Sequence, residues 1–188
     1  AALGLPFIAP EIRAGGDEVE AACRGELPAL VARADIRGDL HMHSRWSDGR
    51  DTIEAMVMTC RALGYEYVAI TDHSPSSAAS RNLTIDGITR QADEIARLRE
   101  QFPDIAILQG AEVDILPDGK LDYSDKVLAS FDFVIGSIHS NFNMPAKEMT
   151  RRVLKAMEHP RMTIWGHPSG RLLLGRAGYE LDYEAIFE

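Results

Sequence analysis

Five of the six histidines in this 188-residue sequence follow apolar, β-forming segments. His41 and His43 close IRGDLHMH, His73 follows YVAITD, His139 follows FVIGSI and His167 follows MTIWG. The third such segment, AILQGAEVD, carries Glu112 near its end instead. Only His159, in EHPR after a helical stretch, falls outside the pattern and reads as a surface residue. Imidazole is the commonest protein ligand for transition metals. Residues two apart on a strand project to one face, so His41 and His43 are aimed together. Asp48, in the loop WSDGR, is placed to reach over that face. Five histidines and two carboxylates exceed the four ligands of one tetrahedral ion. The set therefore fits two or three divalent ions sharing Glu112 as a bridge. Manganese, zinc and iron all accept such ligands, so the residue types do not choose among them.

Neighbouring polar residues read differently. A single histidine at a strand end is ordinarily a hydrogen-bonded polar residue, and Asp48-Gly49 alone would be a turn pair. Five repetitions of one placement are what carry the metal reading. Asp39 shares the face of His41 but lies deeper, which suits a supporting role. Asp72 points the opposite way and reads as a hydrogen-bonding support. Asp114 shares parity with Glu112, and its role stays open. Ser44, Ser74 and Ser140 each adjoin a histidine, but adjacent strand residues face opposite ways, which spoils a Ser-His nucleophile. No G-x-S-x-G, P-loop or G-x-G-x-x-G is present. Tyr65, Tyr67, Phe131 and Phe133 read as core, whereas Trp46, beside Asp48, is placed near the mouth of the site.

The elements that must position these residues alternate. Strands are predicted over 36–43, 67–71, 105–113, 131–138 and 162–165. Helices are predicted over 52–63, ended by Gly64, and over 84–102, 124–128 and 146–157, with a last one opening at Asp182. Residues 85, 88, 92, 95 and 98 supply the apolar face of the second helix. Strands separated by helices imply parallel pairing, as in a barrel or a doubly wound sheet, and the carboxyl ends of parallel strands share one face. The first 35 or so residues differ. They are rich in proline and glycine and contain one short helix, with Asp17–Glu20 as its capping box. They read as a connector from an upstream region.

Composition narrows the class. Hydrophobic residues make up 45% and charged residues 26%, as in ordinary globular proteins. No apolar run approaches a bilayer span, and the start lacks a secretory layout. Two cysteines, Cys23 and Cys60, make no disulfide framework, which points to the cytoplasm. A net charge of −9 disfavours nonspecific duplex binding, although bound cations invert the local charge of an acidic pocket.

The segments DLHMHSRWSDG, AITDHS, GAEVDIL, GSIHSNFN and WGHPSGR, in this order, resemble the motifs of the PHP (polymerase and histidinol phosphatase) domain. The resemblance spans residues 36–188 and is closest to the carboxyl-terminal PHP domain of bacterial family X DNA polymerases. GLPFIAPEIRAGGDEVEAA resembles the stretch that joins polymerase and PHP domain there.

The resemblance implies an α/β fold, a distorted (β/α)7 TIM-like barrel, here lacking its last units at the carboxyl end. It also implies a trinuclear site. His41, His43 and Glu112 would serve one metal, Asp48 and His73 a second, and Glu112 with His139 and His167 a third. The family's closing Asp-x-His has no counterpart, since Asp182-Tyr183-Glu184 is not that motif. The implied activity is a manganese-favouring 3′–5′ exonuclease and 3′-end or abasic-site processing in DNA repair. Its partners would be DNA 3′ ends and an upstream polymerase domain in the same polypeptide. Divalent ions would lower the pKa of a water to give hydroxide and would clamp phosphoryl oxygens. Arg171, Asn141 and Lys120 are the candidates to hold the phosphate, Arg171 foremost for its bidentate guanidinium. Two further readings are a small-molecule phosphatase, of the histidinol-phosphate or nucleotide type, and a noncatalytic PHP scaffold.

Overall fold

The computed structural model describes residue 4, residues 6–77 and residues 81–188. Residues 1–3 and 5 of the predicted connector lie outside the described residues. The chain divides into two units, Ala1–Ile36 and Arg37–Glu188. In the first, helix α1 (Glu18–Arg24) ends at Gly25 in the left-handed conformation. The expected capping box at its start does not form. Asp17 caps nothing with its side chain, and Glu18 instead accepts a hydrogen bond from the Gly15 amide at 3.0 Å. Gly15 is left-handed, with φ of 76°, and the bond has the spacing of the expected box moved two residues toward the amino end.

The second unit contains five parallel strands: β1 (Gly38–Met42), β2 (Tyr67–Ile70), β3 (Ala106–Asp114), β4 (Phe133–Ser137) and β5 (Met162–Trp165). They lie in sequential order, β1-β2-β3-β4-β5. Between them run α2 (Ile53–Ala62), α3 (Ile85–Gln101), α4 (Asp125–Leu128) and α5 (Ala146–Met157), and α6 (Tyr183–Phe187) follows. Capping explains three of the helix starts. Thr52 accepts from the Ala55 amide, Thr84 from Gly87, and Asp182 from Ala185.

Helices α2 and α3 cover β2 and the start of β3 with Ile53, Val57, Ile95 and Leu98 against Val68, Ile70 and Ile107. Helix α5 covers the next part of the sheet with Met149, Val153 and Ala156. Each such Val, Leu, Ile or Met side chain contributes about 1.5–3 kcal/mol on burial. The exposed pairs Arg61–Asp104 and Arg99–Asp132 are screened by solvent and add little by comparison. Burial therefore fixes the fold. Ile85, assigned to the apolar face of α3, is exposed, because it sits in the first turn before the helix meets the sheet. The buried polar residue of that face is Gln91.

The sheet is curled. Four steps of about 4.8 Å would separate β1 from β5 by about 19 Å in a flat sheet. Instead the rings of His41, on β1, and His167, just after β5, stack at 6.2 Å. That is the geometry of part of a (β/α) barrel. Among the described residues no helix is long and apolar enough to cross a membrane.

Candidate metal centre

The strands stop short of most of the histidines, and the loops after them do the aiming. The register that pairs Ile70 with Gln109 continues past β2 and pairs His73 with Glu112 in an isolated bridge. This sets His73 beside the carboxylate from the next strand. His139 and His167 each follow their strand by two residues, His167 with φ of 28°. A left-handed backbone at a residue with a Cβ costs about 1–2 kcal/mol and persists only where surrounding contacts impose it.

Glu112, 1% exposed, lies at the centre of the imidazoles. Its Oε2 is 3.1 Å from His41 Nε2, 3.3 Å from His43 Nε2 and 3.2 Å from His73 Nδ1. Its Oε1 is 3.3 Å from His139 Nε2 and 2.7 Å from His167 Nε2. Burial alone would raise the Glu112 carboxyl, but the hydrogen bonds from His139, His167 and His41 outweigh it and hold the group far below the carboxylate range. Burial, partly offset by Glu112, pushes the His73 imidazole below its ordinary value. Asp48 closes the ring from outside, with Oδ1 3.7 Å from His73 Nε2 and 4.0 Å from His43 Nδ1. Its loop folds back tightly enough that a Cβ on Gly49 would stand 2.0 Å from the His43 carbonyl oxygen, so only glycine fits there.

Among the supports, Asp72, Asp114 and Arg152 are buried and Asp39 is half-buried. Asp72 accepts from the Ser44 amide at 2.8 Å, Ser44 Oγ at 2.6 Å, Ser47 Oγ at 2.5 Å and Gln91 Nε2 at 2.7 Å. It thus pins the loop that carries His43 and Asp48. Asp39 receives the His41 amide at 2.9 Å. Asp114, left open from the sequence, meets His139 Nδ1 at 2.5 Å, which fixes that ring with Nε2 toward Glu112. Arg152, buried on α5, donates to Leu116 and Ser140 carbonyls at 3.0 Å each and so holds the loop after His139.

The seven predicted ligands line one cavity of about 760 Å³ with Ser77, Phe142 and Arg176. The three predicted phosphate-binding residues do not line it. Lys120 lies in a separate cavity near α4 and pairs with Asp118, Arg171 lines a shallow cleft with the Leu172–Leu174 segment, and Asn141 is exposed. Trp46 is also displaced from the mouth. Its Nε1 donates to Glu94 on α3, and its ring packs on the core. Phe142 is the aromatic residue at the cavity. His159 is half-buried, and its Nε2 lies 3.4 Å from the accepting Oδ1 of Asp125. Arg176 and Phe142 were invisible as site residues because both lie in irregular loops without periodicity.

The donor set fits divalent ions. His43 Nδ1 and His73 Nδ1 are buried and make no well-aligned hydrogen bond, His73 Nδ1 despite lying 3.2 Å from Glu112 Oε2, and a buried group left so costs about 1–3 kcal/mol unless something else engages it. Three groupings bring one ligand atom per residue within 4.8 Å: His41, His43 and Glu112; His43, Asp48 and His73; His73, Glu112 and His139. The third holds His73 where the family resemblance implied His167.

Comparison with known protein families matches residues 39–181 to the PHP domain. The chain belongs to the PHP domain family. The DNA polymerase/3′-5′ exonuclease PolX of Bacillus subtilis is 47% identical over 98% of this chain, which spans 32% of that protein. A probable phosphatase of Syntrophotalea carbinolica is 33% identical over 79% of the chain and 58% of its own length. A solved histidinol phosphate phosphatase of Lactococcus lactis, complexed with zinc, L-histidinol and phosphate, covers 70% of this chain and 57% of its own at a TM-score of 0.48 and 21% identity. This chain is accordingly a PHP phosphoesterase-type domain related to PolX.

Asp114 gives a first test. Its hydrogen bonds, with those of Glu112, outweigh the opposing burial and raise His139 to about 9. In the metal-free protein, a raised imidazole adds stability that is full below its ordinary value of 6.5 and is lost as pH rises through about 9. A metal ion must displace that proton, so metal affinity rises over the same range. Asp114→Asn is expected to lower the His139 titration, followed by NMR of the metal-free protein, and to weaken metal binding by roughly 10- to 100-fold. An unchanged His139 titration would show that Asp114 does not set this ring.

Proposed function

We propose that this PHP domain hydrolyses phosphodiesters at DNA 3′ ends, as the 3′–5′ exonuclease and 3′-end-processing part of a family X polymerase in cytoplasmic DNA repair. The observation that carries the reading is one buried carboxylate, Glu112, surrounded by five imidazoles in a single open cavity. The identity to PolX over 98% of the chain supports DNA as the substrate and a polymerase region as its covalent partner. Three donor groupings would hold two or three ions of manganese, zinc or iron. Such ions supply Lewis acidity toward phosphoryl oxygens and acidify water. The chain's own part is to fix the imidazoles through Asp39, Asp114 and the Asp72 network, and to keep Glu112 ionised. A phosphate monoesterase is the second reading, favoured by the relative named as a probable phosphatase.

The test uses the purified protein loaded in turn with each metal. Release of mononucleotides from a 3′-labelled oligonucleotide is expected, with manganese most effective. Turnover of histidinol phosphate or a nucleotide without nucleotide release would favour the second reading. Metal binding with no hydrolysis of any ester would leave a scaffold and reject both.

A further inference from the structure

We propose that Arg176 grips the nonbridging oxygens of the substrate phosphate, a role that rests on the phosphoesterase reading above. It is the one guanidinium or ammonium group among the described residues lining the metal cavity. Its placement is built rather than incidental. Nε and Nη2 both donate to the Gly170 carbonyl, at 3.2 and 2.8 Å. The guanidinium carbon lies 3.5 Å over the Phe142 ring, which in turn stacks on the largely buried Tyr179 at 6.3 Å. Paired backbone bonds between Leu172 and Arg176, both 2.9 Å, close the hairpin that presents it. Gly170, at φ of 56°, makes the turn possible, since a Cβ there would stand 2.2 Å from Tyr179.

Among the described residues no hydrogen-bond partner takes Nη1, so its hydrogens and the second Nη2 hydrogen form a free end-on fork. Arg24, Arg37, Arg61 and Arg99 each pair with a carboxylate. Arg176 pairs with none among the described residues, although it lines a cavity that contains Glu112 and Asp48. A guanidinium held flat by a ring and a carbonyl loses little freedom on binding, and its fork matches two phosphate oxygens. A lysine offers only a point charge. The same chemistry would take the phosphate of a DNA end or of a small monoester, and Arg176 contributes binding without touching the metal ligands.

The experiment measures inorganic phosphate binding by calorimetry on the manganese-loaded chain, with metal content by elemental analysis. Arg176→Ala is expected to weaken phosphate binding roughly 10- to 100-fold, the loss of one charged hydrogen-bonded contact, with metal content unchanged. Arg176→Lys should recover only part of this. In steady-state assays the loss should fall on KM more than on kcat, and comparing an oligonucleotide with a phosphomonoester distinguishes the two phosphate sources. Phe142→Leu keeps the guanidinium but removes its platform, and should weaken phosphate binding in the same direction. This variant decides if Arg176→Ala does not fold. Unchanged phosphate affinity with normal metal content overturns the proposal, as does loss of metal from Arg176→Ala. Phosphate binding that depends on Arg176 in a protein that hydrolyses no ester would instead sink the enzymatic reading and leave the site standing.

Discussion

Glu112→Ala is expected to remove bound metal and lower phosphoester hydrolysis by about 10³-fold or more, since ions stabilising transition-state charge contribute several kcal/mol. The reason is geometric. Each Glu112 oxygen faces a different set of imidazoles, Oε2 toward His41, His43 and His73 and Oε1 toward His139 and His167. The residue takes part in two of the three donor groupings. Losing it strips the anionic charge that offsets several cations in a buried place. Glu112→Gln preserves the volume but carries no charge and should lose nearly as much. The measurement pairs elemental analysis with hydrolysis of a 3′-labelled oligonucleotide. Wild-type rates and normal metal content in Glu112→Ala would mean that another group bridges the ions.

Asp72→Ala should destabilise the metal-free protein by about 3 kcal/mol or more, because four donors lose a buried acceptor and hydrogen bonds to charged groups contribute about 1.5–3 kcal/mol each without adding fully. The four donors come from the loop after β1 and from α3, so the damage spreads to the site. The grouping of His43, Asp48 and His73 should lose metal affinity, since Ser44 and Ser47 no longer hold that loop. Asp72→Asn keeps one acceptor oxygen and should fall between. Urea denaturation with and without metal measures both effects. A change below about 0.5 kcal/mol, the level of an ordinary surface substitution, would show that the serines and Gln91 are satisfied without Asp72.

Much of this was legible in the sequence. Alternating apolar segments marked the parallel strands, and threonine or aspartate before apolar periodicity marked the starts of α2, α3 and α6. The seven candidate ligands followed from one rule, a histidine or carboxylate after each strand, because parallel strands present their carboxyl ends on one face. Asp72 was read as a support from its parity alone. Parity also pointed at Asp114, which aligns with Glu112 on β3, but spacing does not say which ring an aspartate will meet. The predicted phosphate binders, Arg171, Asn141 and Lys120, were chosen by residue type near a motif, and the structure gathers none of them at the cavity.

What only the tertiary structure decided are the long-range meetings. A period of two residues reports which face a side chain takes, whereas the curl of the sheet decides which faces converge. That curl brings His167 beside His41 across the sheet, 126 positions apart in sequence. Arg176, Phe142 and Arg152 act through loop carbonyls and a ring, contacts with no period to detect. Local chemistry wrote the candidate ligand types into the sequence, and the burial of α2, α3 and α5 against a twisted sheet set which of them meet, because packing energy depends on partners far apart along the chain.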